Sequence, residues 1–219
     1  MNRRSALVIF SLLAAQSCAK RKHPRSAQAP AAPNLPAQVV SPETGLASWY
    51  GHPYHGRAAA DGEIYDMEKL TAAHRTLPFG TWVRVTNVSN SKTVDVRIID
   101  RGPFVDGRII DLSHAAARAV DLIAAGVAEV RIDVLSVPPS ALSSALFAVQ
   151  VGAFEDKTRA ERVRERMERE YGAAQITLRN GNPPLWRVLA GKEPSEARAS
   201  ALAERIRAEM GPAFLVRLD

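Results

Sequence analysis

The sequence predicts two globular units in series, a mainly β unit closing into a small barrel and then an α+β sandwich. Three observations carry this. Between Thr81 and Ile99 apolar and polar residues alternate at the period of half-buried strands. From Phe147 to Leu218 the pattern strand–helix–strand occurs twice, and Phe147-Ala-Val-Gln-Val-Gly152 is echoed by Trp186-Arg-Val-Leu-Ala-Gly191. Ahead of both units lies an Ala- and Pro-rich stretch with no apolar period.

Residues 1–18 read as an export signal. Arg3 and Arg4 supply a positive start, and Ala6 to Ala15 supply an apolar run too short to remain as a membrane span. Cys18 is the only cysteine and sits at the cleavage junction. Ala15-Gln16-Ser17-Cys18 resembles a bacterial lipobox, although Leu is commoner where Ala15 stands. The alternative is an ordinary cleavable signal with a stray cysteine. A single cysteine excludes an intrachain disulfide, so packed cores must supply the stability.

Residues 19–44 are expected to form a tether, with Pro24, Pro30, Pro33, Pro36 and Pro42. It would reach at most roughly 80–90 Å at about 3.3 Å per residue. The formal charge is +6, and Lys20, Arg21, Lys22 and Arg25 cluster beside Cys18, where they suit anionic headgroups. Residues 45–137 are close to charge balance and no nucleic-acid-binding motif is present, so nucleic acid is not an expected partner.

Residues 45–137 form the expected barrel. Val83 and Val85 share one face of a first strand, and Val94, Val96 and Ile98 share one face of the next. Ser113 is placed to cap a short helix reaching Ile123 and closed by Gly126, and Glu129 to Val137 is a last strand. Mostly strands with a short helix suit a small closed barrel. Residues 138–144 are a linker, and residues 145–219 are the second unit. Its helices carry apolar stripes at Ala160, Val163, Met167, Tyr171 and at Ala199, Leu202, Ile206, Met210, with Asp156 as the cap of the first. Two β-α-β halves predict a four-stranded antiparallel sheet with two helices on one face.

Four blocks lie in order within the first unit: SWYG from Ser48, DGE-x-YD from Asp61, LTAAH-x-TLP-x-GT from Leu70, and DRGPF from Asp100 with R-x-IDLS from Arg108. Together they resemble the double-psi β-barrel of the rare lipoprotein A family of septal ring lytic transglycosylases. The resemblance implies that Asp100 is the catalytic acid/base. Asp100 follows an apolar run and precedes Arg101-Gly-Pro, where an aspartate also serves as an ordinary turn cap. Glu63 matches the glutamate of the family motif and Asp66 its YD aspartate. Either would position sugar or raise the pKa of Asp100, and either is otherwise a solvated loop carboxylate. The family often has Thr where this chain has Ala59. The family also puts His74 in the cleft, whereas a histidine in an apolar run is more commonly a hydrogen-bonded core residue. Tyr50 is a candidate for stacking on sugar, or for filling the barrel, as are Trp49 and Tyr54. His52 and His55 have no Cys or carboxylate cluster beside them, so no metal is expected.

The second unit resembles a SPOR domain, with a ferredoxin-like fold, from Phe147 to the end. That family binds glycan strands stripped of stem peptides, which makes such strands the expected partner. Gln150 and Arg187 are the candidate contacts. Trp186 is a further candidate, although alternation puts Trp186 and Arg187 on opposite faces. The combined expectation is a lipid-anchored lytic transglycosylase without cofactor, facing the periplasm from the outer membrane at the division septum. It would leave 1,6-anhydro-muramic acid ends. The rival is a non-catalytic, expansin-like wall-binding protein built on the same barrel.

Overall fold

The computed structural model describes residues 41–139, 145–179 and 183–218. The expected export signal, Cys18, nearly all of the tether and most of the linker lie outside the described residues.

The first unit has six strands: β1 (Glu43–Tyr50), β2 (Thr71–His74), β3 (Trp82–Asn87), β4 (Thr93–Asp100), β5 (Arg108–Ser113) and β6 (Ala128–Ser136). They close into a barrel in the order β1-β5-β2-β4-β3-β6. The pairs β1–β5 and β2–β4 are parallel, and the other neighbours are antiparallel. This is the double-psi barrel expected of the sequence. Parallel neighbours cannot be joined by a tight hairpin. The chain after β1 makes a long excursion, residues 51–70, before β2, and Tyr54 on it lines the cavity described below.

Alternation sends Val83, Val85, Val96, Ile98, Ile110 and Leu112 into a core where none is exposed. Burying a side chain of this size contributes about 1.5–3 kcal/mol. The barrel begins slightly earlier than expected, because Glu43 and Thr44 pair with Ile132 and Arg131 of β6.

Ser113 caps α1 (His114–Ala119) by accepting a hydrogen bond from the Ala116 N–H at 3.2 Å. The helix ends at Ala119 rather than Ile123. Val120 leaves helical geometry, Asp121 takes φ +56°, and the Leu122 N–H returns to the Ala117 carbonyl at 2.8 Å. Val120 and Leu122 are fully buried, so core burial ends the helix early.

The second unit comprises β7 (Leu146–Phe154), α2 (Lys157–Tyr171), β8 (Ala174–Arg179), β9 (Leu185–Glu193), α3 (Glu196–Met210) and β10 (Phe214–Leu218). Its antiparallel sheet has the order β10-β7-β9-β8. Asp156 and Ser195 cap the two helices. Val149, Val188 and Ala190 of the sheet pack against Ala160, Met167, Leu202 and Ile206 of the helices. The opposite sheet face carries Ala148, Leu189 and Val216, against which Phe104 of the barrel packs. This matches the ferredoxin-like sandwich expected.

Candidate active-site cleft

Asp100 is the last residue of β4 and is 8% exposed. Its Oδ1 accepts hydrogen bonds from the Ala60 N–H at 3.1 Å and from the Arg101 N–H at 2.8 Å. The chain then turns through Gly102, whose φ of +145° strongly favours glycine. Arg101 is turned away and buried. Its guanidinium donates to the His74 and Leu77 carbonyls at 3.2 and 2.8 Å and lies 3.7 Å from the Phe79 ring centre. The carboxyl is thus fixed from both flanks of its strand end.

A cavity of about 340 Å³ opens beside Asp100, and Ser48, Tyr50, Tyr54, Ala73, Arg108, Asp111 and Arg179 also line it. Tyr50 stacks on the buried Tyr65 ring at 4.3 Å and meets Tyr54 edge-on at 6.1 Å. Its hydroxyl is buried without a hydrogen-bond partner. Burial, and then the nearby Asp100 carboxylate, push this phenol far up.

Asp111 shares this cavity, and sequence reasoning does not single it out. It lies in β5 between the core residues Ile110 and Leu112. Its Oδ1 accepts from the Ser48 hydroxyl at 2.6 Å, and its Oδ2 is 3.3 Å from the Arg108 guanidinium. Burial holds its carboxyl above the ordinary aspartate value, against the pull of Ser48 and Arg108. The available signal is a carboxylate inside a half-apolar strand three residues after an arginine.

Glu63, Asp66 and His74 do not line the cavity. The Glu63 carboxylate takes two hydrogen bonds from Arg97, at 2.8 and 2.7 Å, and this arginine holds it below the usual glutamate value. The Asp66 carboxylate accepts from the Glu68 N–H at 3.0 Å and lies 3.7 Å from His55, which ties down its own loop. The His74 ring is buried. Its Nδ1 accepts from the Thr76 and Leu77 N–H groups at 3.2 and 3.1 Å, which leaves Nε2 to donate to Glu43 at 3.1 Å. His74 therefore braces the wall that seats Arg101. Glu63 fixes the loop whose Ala60 N–H reaches Asp100.

Gln150 and Arg187 do come together. The Arg187 Nε donates to the Gln150 side-chain Oε1 at 2.6 Å. Burial pushes the Arg187 guanidinium down to about 10. Both residues are covered by the barrel, since Gln150 is 4% exposed and the Arg187 guanidinium lies 5.0 Å from the Phe104 ring centre. Trp186 takes the other face, where it packs into the core between sheet and helices with Lys157 over its ring. It does not join Gln150 and Arg187, because adjacent strand residues point to opposite faces.

Residues 42–132 match the family described as Lytic transglycolase, and residues 143–217 match the SPOR domain. The endolytic peptidoglycan transglycosylase RlpA of Vibrio cholerae is 38% identical over 172 residues, covering 75% of this chain and 65% of that protein. The Campylobacter jejuni protein of the same name is 38% identical over 173 residues, covering 67% of this chain and 62% of its own. The chain thus spans a little under two thirds of the length of these relatives. An expansin of Clavibacter michiganensis is 21% identical, with a TM-score of 0.37, over 51% of this chain and 58% of its own. With its closed double-psi barrel followed by a ferredoxin-like sheet, the chain joins a barrel matching the lytic transglycolase family to a SPOR domain, and is similar to the RlpA proteins over both.

Proposed function

We propose that this protein is an endolytic peptidoglycan transglycosylase that cuts glycan strands lacking stem peptides and leaves 1,6-anhydro-muramic acid ends. The observation that carries this reading is the Asp100 carboxyl, nearly buried and clamped by two backbone N–H groups at the edge of a tyrosine-lined cavity. Catalysis gains most when the acid/base group is already held in position. A proton is delivered to the glycosidic oxygen as the bond to C1 of muramic acid breaks. The muramic C6 hydroxyl then attacks C1 and gives its proton to a carboxylate. No water enters, so no carboxylate is required to activate one.

In this reading Glu63 and His74 serve through the frame around Asp100, and Tyr50 offers a ring to the sugar. Gln150 and Arg187 take the naked glycan, with Trp186 supporting the sheet behind them. Lipidation of Cys18 would anchor the protein in the outer membrane facing the periplasm, with the glycan-binding domain enriching it at the septum.

The test is digestion of purified stem-free glycan by the full chain, with mass spectrometry of the products. Anhydro ends are expected, and Asp100→Asn should lose about 100-fold to 10,000-fold of the rate while still binding glycan. Reducing ends would make the protein a hydrolase. Binding without any cleavage would sink the enzyme reading in favour of a non-catalytic, expansin-like role.

A further inference from the structure

Asp100 and Asp111 are linked by the barrel's register. Ala73 of β2 pairs with Asp111 of β5 on one side and with Asp100 of β4 on the other. Ser48 of β1 extends the same row, because it pairs with Asp111. Residues directly opposite one another across a sheet share a face, so both carboxyls rise on the side where Ala73 lines the cavity. Neighbouring strands lie about 4.8 Å apart, so two spacings set the Cα atoms of Asp100 and Asp111 roughly 10 Å apart. On the sheet itself only the Ala73 methyl stands between them, and Arg179 of the second sheet lines the same cavity. That leaves a gap of sugar-ring width, with one carboxyl on each side.

We propose that Asp111 is the second catalytic carboxyl of this cleft, delivering the proton to the leaving oxygen while Asp100 takes the proton from the C6 hydroxyl. This rests on the transglycosylase reading above and divides between two groups the acid and base work otherwise given to one. The surroundings of the two carboxyls differ in the required sense. Asp111 is enclosed by Ser48 and Tyr50 from β1, Arg108 from β5, Asp100 across the gap, and Arg179 from the second sheet. Burial outweighs the two arginines and the serine, so Asp111 retains a proton to higher pH than an ordinary aspartate. Both oxygens of Asp100 face donors, from the Ala60 and Arg101 amides and from Arg179 at 3.8 Å. Environments that separate the behaviour of two neighbouring carboxyls are how acid and base roles are divided at one pH.

The proton balance closes. The Asp111 carboxylic acid passes its proton to the glycosidic oxygen, the bond from C1 to that oxygen breaks, and the released sugar leaves with a hydroxyl. The C6 oxygen bonds to C1, and its proton passes to Asp100. Exchange with solvent then restores both carboxyls.

The experiment compares two substrates for the full chain: stem-free glycan, and a GlcNAc–MurNAc disaccharide carrying dinitrophenolate at C1, a leaving group that needs no proton. Asp111→Asn should lose about 100-fold to 10,000-fold on glycan, the usual size of acid catalysis, yet stay within about tenfold of wild type on the aryl glycoside. Asp100→Asn should lose both activities. Ser48→Ala keeps the Asp111 carboxyl but removes a bond that favours its ionised form, so the alkaline limb of the kcat/KM profile should move to higher pH. Equal loss on both substrates in Asp111→Asn, unchanged glycan cleavage, or an unmoved limb in Ser48→Ala would each overturn the assignment while leaving the transglycosylase reading intact. A wild type that cleaves neither substrate would overturn both.

Discussion

The Arg179 guanidinium, on the second sheet, lies 3.8 Å from the Asp100 carboxylate, and it also sits over the Tyr54 ring at 5.2 Å from its centre. The barrel and the second sheet thus meet at one ion pair. In the proposed reading, an arginine there competes with substrate for the Asp100 carboxylate. Partly exposed ion pairs are worth roughly 0.2–1 kcal/mol, so Arg179→Ala should speed glycan cleavage by no more than about fivefold. Initial rates at subsaturating glycan check this, and a slower variant would instead mark Arg179 as a substrate contact.

Phe104 covers the sheet face that carries Gln150 and Arg187, and it meets Phe214 edge-on at 6.1 Å. Glycan reaching those residues must displace this ring. Aromatic contacts of this kind contribute about 0.5–1.5 kcal/mol, so Phe104→Ala should tighten binding of stem-free glycan by roughly twofold to tenfold. Arg187→Ala should weaken it. Calorimetric titration with the full chain separates these outcomes, and equal affinity in all three proteins would show that this face does not bind glycan.

Trp186→Ala should act on stability instead. The ring packs, partly buried, between the sheet and its helices, so the loss should approach about 3 kcal/mol, the lower end for core tryptophans. Thermal unfolding measures it. Weaker glycan binding by a variant of unchanged stability would return Trp186 to the binding site.

His74→Ala removes the acceptor for two N–H groups and the partner of Glu43. Stranding a buried donor costs about 1–3 kcal/mol, so the variant should unfold earlier and lose activity through a loosened Arg101 wall. The Glu43 carboxyl is held below its ordinary value, chiefly by the hydrogen bond from His74. Its stabilising contribution is therefore present above the ordinary glutamate pKa and lost as pH falls through the depressed one. The difference in stability between wild type and Glu43→Gln should shrink across that acidic window. A difference that does not change with pH would exclude a hydrogen bond from His74 that favours the ionised Glu43 carboxylate.

Asp111 gives the opposite pH signature. Its folded value is raised, so ionisation costs the folded state stability as pH climbs from the ordinary aspartate value through the raised one. In wild type this decline should be visible by denaturant titration at several pH values, and in Asp111→Asn it should vanish. A decline of equal size in the variant would assign it to another group.

The sequence by itself determined three of the six barrel strands, the repeated strand–helix–strand pattern of the second unit, two of the three helix caps and the two-unit order. Alternation at Val83, Val85, Val96 and Ile98, and the side chains of Ser113 and Asp156, act within a few residues, where period and capping chemistry are legible. It also placed Asp100 at a strand end and separated Trp186 from Arg187 by simple alternation. Only the tertiary structure decided which side chains meet. Ser48, Asp111, Ala73 and Asp100 form one row because β1, β5, β2 and β4 are neighbours in the closed barrel, and nothing local to any of these residues encodes that adjacency. The same holds for His74, drawn to Glu43, and Glu63, drawn to Arg97, rather than to Asp100. Their partners lie 31 and 34 positions away, beyond the reach of any local pattern. The end of α1 followed from the core's demand for Val120 and Leu122, a packing constraint set by the barrel as a whole.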